Sequence, residues 1–522
     1  MRLFYWITFF VFTNISSQNI ETNLTESLSK GSDSTLIPEI NSGIEDSIKI
    51  IFKSEDDIIL NDSIKKSIKK KGIRLRNIFM DSVLIRNYKI YNDNDTATYV
   101  DTTLTIEKDY RFNYLRKDYF ELLPMPNVGQ GFNKMGYDFT KRQLSPEFGA
   151  RGLNYGYINR EDVQYYEVPT PLSELFFKTT FEQGQLLDAL ISVNTSPNFN
   201  ITIAHKGLRS LGNYVDSRTN ATNLRLSTQY RNFNDRYRLR THFVAQKLGF
   251  QENGGLDSLS VYFFEKAVED LDYDGFLDRS RLVTNIEAQN SIQGKRYYFD
   301  QSYKTLRINK DSFDYRLNIG HSFAYETKNQ LFEYSKLNDF FGKDLVADSE
   351  GNFVSGTIKD IHKLRSYRNL FYATYKIPKV GDFDFIIQLD KWNYFKVNSQ
   401  PDQVNFEEIQ EIDFGQQTIG VNWNKIIYGY KLNFQLKKTL KENFGSSLIR
   451  LDLKKNYNKI DLRTEATYRT QSPNFNFHLF RSSLSDYNWS NSDWLLEKVS
   501  SIKAEIEHNK WGKLTLDWQQ IN

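Results

Sequence analysis

At 522 residues the chain is longer than a single soluble core usually organises, so either several soluble domains or one large shell-like architecture must account for it. Its 68 Lys and Arg residues nearly balance its 65 Asp and Glu residues, and the formal charge of +3 gives no electrostatic reason to expect nucleic acid as a partner. The absence of cysteine excludes a disulfide framework and a thiolate metal site.

The first seventeen residues have the pattern of a secretory signal peptide. Arg2 precedes the apolar run 3–12, and the small polar residues Ser16 and Ser17 stand before Gln18. The apolar run is too short to span a bilayer, and no stretch of about 18 uncharged apolar residues follows it. The sequence therefore predicts export, cleavage near residue 17, and no membrane-spanning helix.

Two segments of different composition follow the signal peptide. Residues 18–97 are rich in Ser, Asn, Asp, Ile and Lys and poor in aromatic residues, which predicts a flexible periplasmic segment. Its basic run at 65–76 is read as a solvated surface, with contact to an anionic partner such as lipid headgroups as the alternative. Residues 98–170 contain more aromatic residues, Gly and Pro but no long periodic element, which predicts a collar or a plug.

From residue 171 to 522 apolar and polar residues alternate with a period of two. Leu224 and Leu226, for example, alternate with Arg225 and Ser227, and a turn at 233–236 returns the chain into a second alternating run. About 16 to 18 segments of this kind occur, each of about 9 to 13 residues, which is the length that a tilted strand needs to cross hydrocarbon. The pattern predicts an all-β fold of antiparallel strands.

A soluble β-sandwich also alternates, so the period by itself does not identify the outer solvent. Long strands, long polar loops that alternate with short turns, and aromatic residues at strand ends favour lipid. The aromatic residues are Tyr230, Tyr237, Tyr375, Tyr428, Tyr468 and Trp511. We therefore predict a transmembrane antiparallel β-barrel, and at this strand number its interior holds an aqueous channel unless something plugs it.

The strand count contains one inconsistency. The long connections at about 248–279 and about 327–365 are both expected on the extracellular side, yet the pattern yields three strands between them. An odd number places the two connections on opposite sides, so one strand there is missed or is extra.

The polar positions of the alternating runs are the candidate lumen-lining residues. They are Arg225, Arg231, Arg238, Arg240, His242, Asp384, Lys431, Arg450, Asp452, Arg463 and Glu465. The basic residues between 225 and 242 lie on adjacent strands and could bias the lumen toward anions, as rings of basic side chains do in selective pores. The alternative is a salt-bridged lining that only solvates the wall.

The chain carries no recognisable catalytic constellation. Its six His residues stand outside any nucleophile–base motif, so we expect no enzyme activity and no cofactor. Residues 270–278 resemble the opening of a calcium loop, but Arg281 stands where a bidentate Glu is required, and an acidic loop is the preferred interpretation. We expect no metal site.

Several stretches closely resemble the "putative porin" family of the Bacteroidetes. They are YVDTTLTIEKDYRFNYLRKDYFELLP at 99–124, PLSELFFKTT at 171–180, EQGQ at 182–185, KGLRSLG at 206–212, FLDRSRL at 276–282 and GKRYY at 294–298. The resemblance covers about residues 99–520 and implies an outer-membrane barrel that conducts solutes, without catalytic residues. The end of the chain at 517–522 departs from such barrels because it lacks a terminal aromatic residue, and we expect that the last strands are missing.

The expected function is passive diffusion of small polar solutes through the outer membrane of a Gram-negative cell. The expected partners are outer-membrane lipid, the solutes and the barrel-insertion machinery. A structural or assembly barrel with a closed lumen, serving envelope attachment or secretion, is the first alternative. Energised transport of a specific ligand is the second, and the lack of a recognisable energy-coupling box disfavours it.

Overall fold

The computed structural model describes residues 83–92, 97–100, 106–136, 144–180, 184–266, 279–310, 313–334, 358–377, 379–399, 407–442, 445–482, 489–491, 496–508 and 510–522. The predicted signal peptide, the basic run at 65–76 and the acidic loop at 270–278 lie outside these residues.

A series of short elements precedes the long strands, and we call its described residues from 83 to 168 the pre-wall segment. These elements are β1 (Lys89–Tyr91), β2 (Ala97–Tyr99), β3 (Leu122–Pro124), β4 (Phe132–Lys134), α1 (Arg151–Asn154) and β5 (Tyr165–Glu167), with 3-10 turns at Ile85–Asn87, Ile106–Arg111 and Arg160–Asp162. Strands β2, β1 and β5 form one small sheet, and β3 pairs with β4. The 3-10 turn at Ile85–Asn87 and β1 lie inside the segment 18–97 that the sequence predicts to be flexible.

Fifteen antiparallel strands form one large sheet, which we call the wall. They are β6 (Leu172–Thr180), β7 (Gly184–Ser196), β8 (Phe199–Ser210), β9 (Thr219–Arg231), β10 (Tyr237–Glu252), β11 (Ala288–Lys310), β12 (Phe313–Tyr334), β13 (Ile358–Ile377), β14 (Gly381–Ser399), β15 (Glu407–Ile427), β16 (Tyr430–Glu442), β17 (Ser447–Tyr457), β18 (Ile460–Gln471), β21 (Glu497–His508) and β22 (Gly512–Ile521). Each strand pairs with its neighbours along the chain, and among the described residues β6 and β22 form the two edges.

The connections contain a few further elements. They are α2 (Ser258–Lys266), a 3-10 turn at Arg279–Arg281, α3 (Phe475–His478), β19 (Leu479–Phe480) and β20 (Trp489–Ser490). In the part of the chain that the structure describes, no helix is long and apolar enough to cross a membrane.

The wall confirms the predicted all-β antiparallel fold, and within the described residues it has 15 strands where the sequence pattern suggests about 16 to 18. The reason is strand length, because β11 has 23 residues and β12 has 22, about twice the predicted length. Only these two strands separate the connections after β10 and after β12. An even number of strands places both connections at the same end, which resolves the inconsistency in the sequence pattern.

Short connections lie at one end of the wall and the longer ones lie mostly at the other. The turn between β15 and β16 shows why a short connection forms, since Tyr428 and Gly429 both have positive φ (49° and 80°), as a type I′ turn requires. The pattern assigns Tyr428 to the strand, whereas the structure places it in this turn. Its side chain is 93% exposed, and Trp511 occupies a similar place between β21 and β22 with 88% exposure.

The two faces of the wall are reversed relative to those of a soluble protein. On β14, Phe385 and Ile387 are about half exposed whereas Asp390 is buried, and on β17 the same contrast separates Ile449 from Asp452. In water this arrangement would expose apolar surface and bury charge, both of which cost free energy. It becomes favourable when the outer solvent is lipid. We therefore call the apolar face outer and the polar face inner.

Candidate functional site

The pre-wall segment packs against the inner face of the first part of the wall. Tyr114, Phe148, Leu153 and Tyr157 from this segment belong to one buried apolar cluster. The wall residues of that cluster are Phe176, Leu186, Leu208, Ala221, Leu248, Ile292, Leu364, Trp392, Tyr394 and Phe414, which lie between β6 and β15. Burial raises the pKa of the Tyr114 and Tyr157 phenols above the ordinary value, so both stay protonated.

Polar contacts hold the end of the pre-wall segment to β10, β11 and β12. The Gln246 amide bonds both to the backbone N–H of Ile158 (2.9 Å) and to its carbonyl (3.0 Å), and the Arg296 guanidinium donates to the same carbonyl at 3.1 Å. The Tyr157 hydroxyl donates to Glu326 at 2.8 Å, and Glu326 also accepts from Arg296 at 3.1 Å. Backbone groups of the segment are therefore satisfied by wall side chains.

His242, one of the predicted lumen residues, is enclosed between the wall and this segment. Its Nε2 lies 3.0 Å from Nε of Arg296 and its Nδ1 lies 2.7 Å from the Tyr165 hydroxyl, while its ring stacks on Tyr298 at 4.7 Å. A guanidinium can only donate, so Nε2 accepts and the neutral ring carries its proton on Nδ1. The imidazole therefore joins the segment to the wall and does not face open solvent.

Two arginines of the predicted basic cluster pair with carboxylates on other strands of the wall. Nη2 of Arg225 lies 3.2 Å from Asp188, and Nη2 of Arg238 lies 3.1 Å from Asp300. All four side chains are mostly buried. At these positions the contacts match the salt-bridged lining that was the alternative to an anion-selective surface.

The other two arginines of the cluster stand over an aromatic ring of the pre-wall segment. The guanidinium carbons of Arg231 and Arg240 lie 5.5 Å and 5.1 Å from the ring centre of Tyr91. Arg240 also donates to Gln229 at 2.9 Å and to the carbonyl of Asn92 at 3.3 Å. The structure brings the basic cluster together, and Arg231 and Arg240 also hold β1 against the wall.

A second charged group lies on the inner face of β17, β18 and β21, and we call it the charged network. Arg450 lies 2.7 Å from Asp452, and Arg463 lies 2.9 Å from Glu465 and 3.2 Å from Glu505. Asp452 and Glu465 face each other across β17 and β18, and Arg450 and Arg463 each contact both carboxylates. Each charge therefore has a neighbour of opposite sign. The structure brings four predicted lumen residues together here.

The last two predicted residues lie apart from both groups. Asp384 on β14 is half-buried between Thr374 and Asn422 of the adjacent strands. Lys431 is exposed at the start of β16, opposite Lys454.

Several inner-face residues described above were missed by the sequence analysis, among them Arg296, Glu326 and Glu505. Each is in phase with a polar position of its own strand, so the period-two pattern could have found it. The pattern does not show which inner-face residues are most buried. Arg296, for example, is only 2% exposed, and this burial depends on contacts with the pre-wall segment.

The inner face therefore has two parts. Among the described residues, the apolar cluster that includes the pre-wall segment has no member on the wall strands β16, β17, β18, β21 and β22, although Phe475 of α3 and Leu479 of β19, in the connection between β18 and β21, belong to it. That part instead carries the charged network together with the exposed lysines Lys431, Lys454 and Lys513. One part of the inner face is packed, and the other is lined by charged side chains.

A cavity of about 460 Å³ opens where the pre-wall segment meets the end of β10. Phe132 and Leu153 line it from the segment, and Phe250, Asn253 and Gly254 line it from the wall side. Within the described ranges, no group of three or more His, Asp or Glu side chains could hold a metal ion.

Comparison with known proteins identifies one family. A family model described as "Putative porin" matches residues 84–522. A search of curated proteins finds no match.

Solved outer-membrane receptors share limited structural similarity with the chain. The ferric enterobactin receptor of Pseudomonas aeruginosa matches with 10% identity and a TM-score of 0.44, covering 67% of this chain and 52% of that one. The siderophore receptor PirA of Acinetobacter baumannii matches with 8% identity, a TM-score of 0.44 and the same coverages. The alcaligin receptor of Bordetella pertussis matches with 10% identity and a TM-score of 0.41, covering 68% and 56%. The chain thus spans about half the length of these receptors.

Proposed function

The chain belongs to the "Putative porin" family of outer-membrane barrels, and from this membership we propose that it lets small hydrophilic solutes diffuse passively across the outer membrane. The proposed activity is non-enzymatic and requires neither a cofactor nor coupling energy. The remaining question is which part of the inner face the solutes follow.

The charged network is the observation that carries the proposal. A polar inner face is what a water-filled passage requires, and Asp452, Glu465 and Arg463 lie on that face while their apolar neighbours point outward. Exposed lysines at one end of the same strands, such as Lys454, favour access by water. We therefore assign the solute path to the inner face of β16–β18, β21 and β22.

The packed part of the inner face narrows this path. Tyr157, Ile158 and Tyr165 of the pre-wall segment pack on the inner face of β10 to β12. Phe475 of α3 packs on Tyr394 of β14 and Phe414 of β15. Solutes would pass beside the pre-wall segment, so we expect a conductance below that of an unobstructed barrel of similar strand number.

Single-channel recording in planar bilayers tests the proposal. The protein should show steady open steps, and the double variant Asp452→Asn/Glu465→Gln should shift the reversal potential in a salt gradient toward anion preference, because its arginines lose their counter-charges. Asp413→Asn on the outer face is the matched control and should leave the reversal potential unchanged. An equal shift in the control would contradict the assigned path.

A structural barrel with a closed lumen is the second candidate, and the packing of the pre-wall segment favours it. This candidate predicts no conductance from protein that is inserted and correctly folded. Heat-modifiable migration on SDS gels would report the folded state in the same preparation.

A further inference from the structure

The outer face carries a row of aromatic side chains across four adjacent strands. Phe243, Tyr297, Tyr325 and Tyr367 are consecutive cross-strand partners on β10 to β13. Their ring centres are 4.9, 6.3 and 4.7 Å apart in that order. Tyrosine rings of this kind mark the boundary between hydrocarbon and headgroups in membrane proteins. The row therefore marks one edge of the lipid-facing band.

Cationic side chains stand immediately beyond this row, on the side of the longer connections. Lys295 lies two residues from Tyr297 on β11, on the same face and nearer the long connections. Its register partner on β12 is Thr327, which in turn pairs with Arg365 on β13. Lys247 on β10 and Lys363 on β13 lie two residues further along their strands in the same direction. Adjacent strands are about 4.8 Å apart, so Lys295 and Arg365 are separated by about 10 Å at their Cα atoms.

Among the residues that the structure describes, the acidic side chains at this level do not neutralise these cations. The two described carboxylates at this level are on β15, where Asp413 pairs with Lys391 at 3.3 Å and Glu411 accepts from the Asn393 amide. Arg365 lies over the Phe395 ring at 5.1 Å, a contact that keeps its charge available. The outer face of β10 to β13 is thus a cationic surface directly above an aromatic one.

In outer-membrane barrels the long connections face the cell exterior, where the outer leaflet of the membrane consists of phosphorylated glycolipid. We propose that Lys247, Lys295, Lys363 and Arg365 form a site for the phosphate groups of such a glycolipid, whose acyl chains lie along the aromatic row and the apolar face below it. Lysine and arginine bind phosphate through charge-assisted hydrogen bonds, and tyrosine packs against the first methylene groups. The proposal is independent of whether the barrel conducts solutes.

The test measures the dissociation constant of the full chain in detergent micelles for fluorescent bis-phosphorylated lipid A. The quadruple variant Lys247→Gln/Lys295→Gln/Lys363→Gln/Arg365→Gln should bind about tenfold more weakly or worse, since each cation near the headgroups contributes to binding. The matched control Lys425→Gln/Lys455→Gln/Lys459→Gln/Lys510→Gln removes the same charge at the opposite end of the wall and should change binding less than about twofold.

Two further binding measurements test whether the phosphate groups and the positive charges are responsible. Dephosphorylated lipid A should bind the native chain about as weakly as the phosphorylated form binds the quadruple variant. The charge-preserving variant Lys295→Arg/Arg365→Lys should retain binding, and heat-modifiable migration should show that every variant is folded. Equal binding by the quadruple variant, equal loss in the matched control, or binding without phosphates would each overturn the proposal.

Discussion

At the scale of single residues, Arg296 joins three parts of the molecule. Its guanidinium is almost fully buried and contacts the Ile158 carbonyl of the pre-wall segment, His242 on β10 and Glu326 on β12. A buried cation is tolerated only when its donors are satisfied in this way. Removing the cation would leave Glu326 buried with a weaker set of partners, because Lys328 is 3.9 Å from it.

We expect Arg296→Gln to lower the free energy of unfolding by about 3 to 5 kcal/mol, the range for loss of one partner of a buried ion pair. Arg238→Gln, which breaks the more accessible pair with Asp300, should cost about 1 kcal/mol or less after allowance for solvent screening. Urea unfolding in lipid vesicles, followed by tryptophan fluorescence, measures both. Equal losses for the two variants would contradict the role given to Arg296.

Polar residues on the outer face also follow a local rule, since they bond to each other. Nε2 of His321 lies 3.3 Å from the Asn369 amide oxygen, and the hydroxyls of Thr228 and Thr241 are 2.8 Å apart. In hydrocarbon an unpaired polar group would cost several kcal/mol, and water is not there to replace the partner. These pairs explain how an otherwise apolar face accommodates polar side chains.

At the scale of elements, the alternating pattern predicts the hairpins better than it predicts their lengths. The predicted turn at 233–236 lies between β9 and β10, which pair as the expected antiparallel hairpin. The pattern yields three strands in a region where the structure has two, β11 of 23 residues and β12 of 22 residues.

The β15–β16 turn offers a test of backbone geometry with a built-in control. A Cβ at Gly429 or at Gly445 would meet no atom within 4 Å, but only Gly429 has a positive φ (80°). Gly429→Ala should therefore lower the free energy of unfolding by about 1 kcal/mol, whereas Gly445→Ala should be neutral or slightly stabilising. The measurement is the free energy of unfolding of each variant. If Gly445→Ala lowers it as much as Gly429→Ala does, the turn geometry is contradicted.

At the scale of the whole molecule, the reversal of the two faces identifies lipid as the outer solvent. On the outer face of β10 to β14 the exposed apolar side chains form a band between the aromatic residues of the short connections and the Phe243–Tyr367 row. On β14 this band runs from Phe383 to Leu389, and Lys391 and Asn393 follow it on the same face. A soluble sheet would not confine its exposed apolar residues to one level.

The free energy that a charged side chain on the outer face costs the folded protein should depend on its depth within this band. We expect Ile387→Arg, near the middle of the band, to destabilise the folded protein in vesicles by about 2 to 4 kcal/mol, and Asn393→Arg, beyond the band on the same face, by about 0 to 1 kcal/mol. The measurement is reversible unfolding from lipid vesicles. If both variants lose the same free energy, the outer face is not immersed in lipid.

The sequence by itself determined the class of the fold, the antiparallel order of the strands and the face on which each side chain lies. These properties depend on neighbours along the chain, because a period of two assigns Leu226 outward and Arg225 inward wherever the strand is placed. Only the tertiary structure decided that Arg225 pairs with Asp188, that Arg296 meets Glu326, and that the pre-wall segment covers one part of the inner face while the charged network lines the other. Those contacts join residues far apart in the chain, and their distances depend on strand stagger and on the packing of the apolar cluster, which no local pattern encodes.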